Sequence, residues 1–376
     1  MKIGLEARWI TFNSTGFGNY AQNLISNIAN LDSNNQYWIY LNNNFENEDI
    51  FSNNNFKKII IKKPPEIYKH ICIQHDLWKN RNYIDFFHFL YNAPSIINIK
   101  PFVLTIHDVS YKYIPKMISL KNRMSILLQL SLNAKRAQKV ITVSKHSKAD
   151  IVKYFKVPED KIHVIYESVD DNFGKRISKQ REKDIRKIYN LPQKYILYVG
   201  TYLPHKNLEN LIKAFHILNK NGKIEHKLVL VGKKYGLNYD IISKLIQDLK
   251  LETNIIKTGF VEDNDLPYLY LLSDLFVFPS LYEGFGLPIL EAMKCRVPVA
   301  LANASCFPEI AEAGAIYFDP YDIEDIYKKI ELAIYNKEIR NNLIKCGNER
   351  VKKFSWSMTA QKTLDIYSEV YNKLQK

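Results

Sequence analysis

Short apolar runs of strand length alternate with segments of helical periodicity along the whole sequence. This alternation is typical of βαβ units, in which each strand of a parallel sheet is followed by a helix that packs on it. The chain has 376 residues, which is long for one domain and sufficient for two that each bury a core. We therefore expect an α/β protein of two halves that binds ligands beyond the carboxyl ends of its strands.

A polar stretch divides the sequence near residue 170. The segment Ser168–Gln193 carries seven Lys and Arg residues and ends soon after Leu191-Pro192, which predicts a linker followed by a polar surface helix. Strands are expected before it at Lys2–Leu5, Tyr37–Leu41, Lys58–Ile61, Asp85–Leu90, Phe102–His107, Val140–Val143 and Ile162–Tyr166. Strands are expected after it at Tyr195–Val199, Lys227–Val231, Asn254–Thr258, Leu275–Pro279 and Val297–Leu301. In the first half, helices are expected at Asn19–Ile28, Leu120–Ala137 and Lys145–Phe155.

The net charge of +14 is distributed unevenly. Residues 51–150 hold 17 Lys and Arg against 5 Asp and Glu, a surplus of 12. Such a field attracts anions, including nucleic acids, anionic lipid headgroups and phosphorylated substrates. A solvated basic face without any partner explains the same charge equally well.

Targeting signals and cysteine patterns indicate a cytoplasmic protein. The amino terminus reads as a first strand, with no long apolar region or cleavage site. No apolar stretch reaches about 18 residues, so a membrane-spanning helix is not expected. The cysteines show neither metal-binding spacing nor a disulfide framework, and we expect buried thiols in a reducing cytoplasm. They are Cys72, Cys295, Cys306 and Cys346.

The segment from Glu283 to Glu291 is the most informative motif. It reads Glu-Gly-Phe-Gly-Leu-Pro-Ile-Leu-Glu and follows an expected strand, and its Pro288 suits the first turn of a helix. Glycines let a ligand approach the backbone, and a helix N-terminus attracts the negative charge of a diphosphate. Glu291 could accept hydrogen bonds from a ribose diol, and Glu283 could bind sugar hydroxyls. A helix-start carboxylate beside turn glycines is the purely structural alternative.

This segment resembles the Glu-x7-Glu signature of glycosyltransferase family 4, the retaining enzymes of the GT-B fold. Other pieces are similar to that family and occur in its order. They are Glu6-Ala7-Arg8, Gly16-Phe17-Gly18-Asn19-Tyr20, Thr105-Ile106-His107-Asp108, Val143-Ser144, Gly200-Thr201-Tyr202-Leu203-Pro204-His205-Lys206-Asn207, Ser305–Glu309, Asp319-Pro320 and Phe354-Ser355-Trp356. The resemblance covers essentially the whole chain.

The resemblance implies an α/β protein with two Rossmann-like domains facing each other across a deep cleft. It predicts an acceptor-binding domain at residues 1–170, to which a C-terminal helix at 357–376 crosses back. A nucleotide-sugar-binding domain is expected at 171–356. The active site would lie between the two domains.

The resemblance also implies the roles of individual residues. His107, Lys206 and Glu283 are expected to be catalytic. Lys206 would neutralise the leaving diphosphate, Glu283 would bind the donor sugar, and His107 would lie on the sugar or acceptor side. Donor binding is expected at Gly16, Gly18, Thr201, Gly284, Phe285, Gly286, Leu287 and Glu291.

One departure concerns the loop of Lys206. Family members often have an Arg in this loop, whereas this sequence has Thr201 and His205 and no Arg. A neutral imidazole is a weaker partner for phosphate than a guanidinium group. The departure affects the expected diphosphate contacts and leaves the expected class unchanged.

The family transfers sugars with retention and requires no metal or other cofactor. Asp263-Asn264-Asp265 is the one Asp-x-Asp string, and we interpret it as a helix start capped by acidic side chains. No pair of carboxylates is identifiable for a double displacement. The resemblance instead implies a front-face reaction, in which the leaving diphosphate helps to deprotonate the acceptor hydroxyl.

For partners, the resemblance favours GDP-mannose as donor, with UDP-hexoses possible, and a saccharide or lipid-linked saccharide acceptor. The implied process is surface polysaccharide synthesis, such as that of lipopolysaccharide. Tyr111–Lys139 combines seven Lys and Arg residues with apolar ones, which predicts peripheral association with the inner face of the cytoplasmic membrane. A helix that faces the core and exposes a polar side is the alternative. The base, the acceptor and the linkage stay open.

Other functions fit the sequence less well. A UDP-hexose-dependent transferase of the same fold and an inactive nucleotide-sugar-binding relative both share its motifs. The Gly-Phe-Gly insert argues against an epimerase, and the chain length argues against a phosphorylase. A nucleic-acid-binding protein is suggested by charge alone, without zinc spacing or an aromatic RNA-binding motif, so we expect no nucleic-acid partner.

Overall fold

The computed structural model describes residues 1–8, 10, 16–42, 53–61, 79, 81–91, 101–113, 119–234 and 237–376. The chain divides into two units. Unit 1 comprises Met1–Glu167 and Ser355–Lys376, and unit 2 comprises Ser168–Phe354. The boundaries predicted from the sequence lie at residues 170 and 356.

The burial of the cysteines agrees in part with expectation. Cys72 lies outside the described residues, Cys295 and Cys306 are buried as expected, and Cys346 is partly exposed, contrary to expectation.

Unit 1 contains a parallel sheet in the order β3-β2-β1-β4-β5-β6-β7. Its strands are β1 (Lys2–Glu6), β2 (Gln36–Asn42), β3 (Phe56–Ile61), β4 (Phe86–Phe89), β5 (Phe102–Ile106), β6 (Lys139–Thr142) and β7 (Ile162–Val164). Its helices are α1 (Phe17–Leu31), α2 (Leu120–Arg136), α3 (Lys145–Asp150) and α12 (Trp356–Leu374). A π-helical turn, Ile151–Phe155, continues α3, where the sequence predicts one regular helix.

The C-terminal helix α12 completes the core of unit 1. Ile366, Tyr367 and Val370 join the apolar cluster beneath β1 and β2. His88 on β4 is fully buried, and its ring nitrogens lie 2.6 Å from the hydroxyl of Tyr367 and 2.8 Å from that of Thr105. Burial, and secondarily His107, lowers the pKa of His88 to about 3. His88 is thus a neutral core histidine, and it links α12 to the sheet.

Unit 2 contains a second parallel sheet, in the order β10-β9-β8-β11-β12-β13. Its strands are β8 (Tyr195–Val199), β9 (Lys227–Val231), β10 (Ile255–Gly259), β11 (Leu275–Phe278), β12 (Val299–Ala302) and β13 (Ile316–Phe318). Its helices are α4 (Lys179–Ile188), α5 (Leu208–Lys220), α6 (Leu237–Asp248), α7 (Leu266–Leu271), α8 (Leu287–Lys294), α9 (Phe307–Ala311), α10 (Ile323–Tyr335) and α11 (Lys337–Val351).

Each sheet reverses its strand order once near the middle, between β1 and β4 in unit 1 and between β8 and β11 in unit 2. The loops that follow such neighbouring strands diverge to opposite faces and leave a crevice at the carboxyl edge, where α/β proteins bind ligands. At the carboxyl edge of the unit 2 sheet, only glycine fits at position 232. A Cβ atom there would lie 2.1 Å from the carbonyl oxygen of Gly200. The two loops after β8 and β9 therefore pack backbone against backbone.

Candidate active site

The loops after β8 and β11 form the candidate site of unit 2. The Leu281 N–H donates to the carbonyl of His205 at 2.7 Å, which fixes one loop against the other. A short 3-10 turn, Pro204–Lys206, then leads through Asn207 into α5. Residues that are far apart in sequence thereby come together at the carboxyl edge of the sheet.

Lys206 and Glu283 form an ion pair in this crevice. The Lys206 ammonium lies 2.5 Å from Oε1 of Glu283 and 5.4 Å from the centre of the Phe278 ring. Both side chains are largely shielded, at 13% and 16% exposure. Ser305 holds the Glu283 backbone, because its hydroxyl donates to the Glu283 carbonyl at 2.6 Å and accepts from the Glu283 N–H at 3.1 Å. The pair therefore stands on a fixed backbone.

The glycine segment leads directly into helix α8. Gly286 has φ 91°, a left-handed conformation that favours glycine, and Leu287 begins the helix. The Cys306 thiol lies 3.1 Å from the carbonyl oxygen of Phe285, whose own ring is buried against Phe354. Gly284 thus lies in a loop held at both ends, beside the positive end of the α8 dipole.

Glu291 is the half-buried carboxylate on the second turn of α8. The Tyr270 hydroxyl of α7 donates to its Oε2 atom at 2.7 Å. Burial, followed by the nearby charges of Asp263 and Asp170, raises the pKa of Glu291 to about 7, although the Tyr270 hydrogen bond acts in the opposite direction. A carboxyl group with this pKa changes its charge within the physiological range.

The departures from the family pattern lie beside the ion pair. Thr201 is exposed, and its carbonyl accepts a hydrogen bond from the Tyr198 hydroxyl at 2.7 Å. Burial and the adjacent Lys206 lower the pKa of His205 to about 4. His205 is therefore a neutral ring near pH 7, so the positive charge of this loop comes from Lys206.

In unit 1, His107 directly follows β5. Its Nδ1 atom lies 3.0 Å from Oε1 of Glu167, and its Nε2 atom lies 3.1 Å from the carbonyl oxygen of Leu90. The rings of Phe17 and Tyr20 pack on it, with centroids at 4.9 and 4.6 Å. Both ring nitrogens face acceptors, so both contacts are hydrogen bonds only when the imidazole carries two protons.

Gly16 and Gly18 lie at the start of α1. Gly16 precedes the helix with φ 46°, and a Cβ atom placed there would meet no atom within 4 Å. Gly18 is buried in the first turn. The buried carboxylate of Glu6 accepts a hydrogen bond from Arg8 just beyond β1. The carboxyl edge of the unit 1 sheet thus gathers Glu6, His107 and the start of α1.

The Asp-x-Asp string marks a helix start, as predicted, but the predicted side-chain cap is wrong. Asp265 does precede α7, but its carboxylate makes no capping hydrogen bond and binds Arg181 and Tyr189 instead, the latter at 2.8 Å. The reason is competition, because a guanidinium and a phenol on the neighbouring segment are stronger donors than helix N–H groups. Within the described ranges, no group of three or more His, Cys, Asp or Glu side chains is arranged to hold a metal ion.

Comparisons with known proteins identify the family. Residues 180–350 match the family described as glycosyl transferases group 1, and residues 50–173 match Glycosyltransferase Family 4. O-antigen chain mannosyltransferase RfbU of Salmonella typhimurium is 30% identical over 259 residues, which cover 69% of this chain and 67% of that protein. The chain belongs to glycosyltransferase family 4.

A second relative aligns with nearly the whole of this chain. O-antigen chain mannosyltransferase B of Escherichia coli is 29% identical over 385 residues, covering 98% of this chain and 99% of that protein. Anabaena HepE, solved with UDP and glucose, superimposes with a TM-score of 0.77 at 19% identity and covers 98% of this chain and 100% of that one. The protein is a glycosyltransferase, and its two parallel-sheet α/β units have the GT-B fold.

Sequence reasoning missed two residues of the site. Glu167 falls between the expected strand Ile162–Tyr166 and the polar segment that begins at Ser168, and neither prediction includes it, although a carboxylate one residue beyond a strand indicates an edge position. Tyr270 lies in the apolar run before β11, where an aromatic residue indicates core packing. Its hydroxyl group becomes significant only when α7 is placed against α8.

Proposed function

We propose that this protein transfers a hexosyl group, mannose by first preference, from a nucleotide sugar to a saccharide or lipid-linked saccharide acceptor in surface polysaccharide synthesis. The names of the relatives support mannose, since two are O-antigen chain mannosyltransferases. GDP-mannose is the favoured donor, and a UDP-hexose is the alternative, which the UDP and glucose bound to HepE support.

The Lys206–Glu283 ion pair carries this proposal. A diphosphate beside α8 offers Lys206 a second anionic partner, and Glu283 is then available to accept hydrogen bonds from sugar hydroxyls. The ammonium neutralises the charge that develops on the diphosphate as it leaves. Glu291 binds the ribose, while Thr201 and the backbone of residues 284–287 line the diphosphate position.

The proposed reaction retains the anomeric configuration and uses no metal. The bond between the anomeric carbon and the diphosphate oxygen breaks, and a bond to the acceptor oxygen forms on the same face of the sugar. The acceptor proton passes to the leaving diphosphate oxygen. In this proposal His107, held by Glu167, acts on the sugar or acceptor side, and Gly16 and Gly18 are among the donor-binding residues.

Substitution of Lys206 tests the proposal directly. We expect Lys206→Ala to lower kcat for sugar transfer by roughly 100- to 1,000-fold, the loss typical when one group that stabilises a developing anion is removed. Lys220→Ala is the matched control, because Lys220 is an exposed lysine at the far end of the helix that follows Lys206. A decrease of only a few-fold in the Lys206 variant would contradict the assigned role.

Donor class, cofactor requirement and stereochemistry need separate measurements. Thermal melting in EDTA with GDP-, UDP-, ADP- and dTDP-sugars identifies the nucleotide that stabilises the fold. A ligand at 100 times its Kd raises the free energy of unfolding by about 2.7 kcal/mol. Proton NMR of the first product gives its anomeric configuration. An inverted product would exclude the front-face reaction, and activity lost in EDTA and restored by Mg²⁺ would exclude metal independence.

Helix α2 supports peripheral membrane association of this cytoplasmic enzyme. Leu120, Met124, Leu128 and Leu132 are 51–62% exposed and recur every fourth residue, so they form a continuous apolar stripe. The core-facing residues are few, with only Leu130, Asn133 and Ala134 buried. Exposed Lys121, Lys135 and Arg136 accompany the stripe, a combination that suits insertion among anionic headgroups. Within the described residues no helix is long and apolar enough to cross a membrane.

A further inference from the structure

Tyr270 is a fully buried residue whose hydroxyl group contacts the candidate site. It lies on α7, and its ring packs against Phe276 at 5.4 Å and Phe173 at 5.8 Å between centroids. The buried thiol of Cys295, the residue that follows α8, lies 3.6 Å from the carbonyl oxygen of Pro267 on α7, so the end of α8 is also linked to α7 at a second point. The phenol is therefore held in one place relative to α8.

The hydroxyl of Tyr270 binds one oxygen of Glu291 and leaves the other available. Oε2 accepts the hydrogen bond at 2.7 Å. In the described part of the chain, Oε1 has no hydrogen-bond partner. This oxygen is not fully buried. A carboxylate fixed in this way presents a single oriented oxygen toward a ligand, and fixing it beforehand reduces the entropy lost on binding.

We propose that Tyr270 is the positioning residue for Glu291, and that it orients the carboxylate so that its second oxygen receives the ribose hydroxyls of the donor. This inference rests on the proposed function, because it takes Glu291 as the ribose-binding group. Tyr270 itself touches no substrate. Its effect is on donor affinity, through the orientation and ionisation of Glu291.

The charged groups around Glu291 explain why the carboxylate needs this partner. Asp263, in the loop before α7, and Asp170, in the segment before α4, both disfavour its ionised form, as does burial. The Cys295 thiol stays protonated, since burial raises its pKa to about 12. The Tyr270 hydrogen bond opposes these effects by lowering the pKa of Glu291. Its removal leaves a larger fraction of Glu291 protonated near neutral pH.

The test is the affinity of wild type and Tyr270→Phe for GDP and UDP, measured by calorimetry from pH 6 to 8.5 beside their 2′,3′-dideoxy analogues. We expect Tyr270→Phe to raise Kd for the nucleotide that binds by about tenfold at pH 7.5, the lower end of the effect of one hydrogen bond to a charged group. The pH at which affinity falls moves upward in the variant. Kd for the dideoxy analogue stays within about twofold, and kcat at saturating donor changes less than KM.

Tyr195→Phe is the matched control, because its equally buried hydroxyl donates to the Leu269 carbonyl at 2.6 Å, away from Glu291. It should leave Kd unchanged while showing a comparable decrease in melting temperature. Equal losses for ribose and dideoxy ligands, or equal losses in both variants, would overturn the positioning role. Absence of GDP and UDP binding to wild type would instead overturn the proposed function.

A measurement on the wild type alone covers the case in which Tyr270→Phe fails to fold. As the pH falls below about 7, the pKa of Glu291, the affinity for the ribonucleotide should weaken more steeply than the affinity for the dideoxy analogue, because the diphosphate titrates in both ligands alike. The same pH dependence for both ligands would show that Glu291 does not bind the ribose.

Discussion

The Lys206 loop brings together two side chains with opposite electrostatic behaviour. Lys206 carries the positive charge and is paired with Glu283, whereas the neighbouring His205 has its pKa lowered to about 4 and is neutral. The Nδ1 atom of His205 is buried and has no hydrogen-bond partner among the described residues. A single lysine therefore provides the cation at a position where many family members have two.

At residue scale, this arrangement predicts that His205→Arg strengthens donor binding. A guanidinium adds a permanent charge and paired donors for phosphate oxygens, and we expect a decrease in Kd for the nucleoside diphosphate of about tenfold, or about 1.4 kcal/mol. Titration calorimetry at low salt measures the change. His205→Gln, which stays neutral, is the control and should bind as wild type does. An Arg variant that binds no more tightly than the Gln variant would contradict the prediction.

At the scale of single elements, α2 differs from an ordinary amphipathic helix. Its N-terminus is capped by Ser119, whose hydroxyl accepts from the Asn122 N–H at 3.3 Å. Beyond that cap, its exposed side carries an apolar stripe accompanied by basic residues, and few of its residues are buried. A stripe of this kind costs solubility unless another surface covers it.

Insertion of this stripe into lipid predicts that Leu128→Glu reduces membrane binding. Burying one leucine side chain contributes roughly 1.5–3 kcal/mol, so we expect at least a tenfold loss in partitioning to vesicles of phosphatidylglycerol and phosphatidylcholine at low salt. Co-sedimentation measures it. Ile241→Glu is the control, because Ile241 on α6 is comparably exposed, at 52%. No vesicle binding by wild type, or equal binding by both variants, would contradict the membrane proposal.

The strands were largely predictable, because buried parallel strands are nearly continuous apolar runs. In unit 2, β8 and β9 begin and end at the predicted residues. The three-residue β13 was missed, since so short a run gives no periodicity to recognise. For the site, the Glu283–Glu291 string identified one loop and one helix. The pairing of Lys206 with Glu283, 77 residues apart, depends on strand order, which local sequence does not encode.

At the scale of the whole molecule, the two units should respond differently to acid. In unit 1, His88 and His163 have lowered pKa values, because of burial above all. Below about pH 6.5, the unfolded chain binds protons that the folded unit excludes, so stability falls as the pH falls. In unit 2, His205 acts in the same direction, but Glu291, with its pKa raised to about 7, binds a proton in the folded state and opposes it.

We therefore predict that unit 1 loses stability between pH 6.5 and 5, by about 1.4 kcal/mol per pH unit for His88 alone, while unit 2 changes little. All four tryptophans of the sequence, Trp9, Trp38, Trp78 and Trp356, belong to the residue ranges of unit 1. Tryptophan fluorescence thus reports unit 1, and far-ultraviolet circular dichroism reports both units. Urea transitions by the two probes should separate at pH 5.5, and coincident transitions there would contradict the prediction.

The hydrogen bond between His88 and Tyr367 joins residues 279 positions apart, and all of unit 2 is encoded between them. On the ribosome, the nascent sheet of unit 1 must therefore wait for α12 while unit 2 is translated, an interval of roughly tens of seconds at ordinary elongation rates. During that time the surface that Ile366, Tyr367 and Val370 later cover is open to chaperones and to aggregation. Completion of unit 1 thus depends on a helix that is translated after all of unit 2, so a chain that stops before α12 has a finished unit 2 attached to an unfinished unit 1.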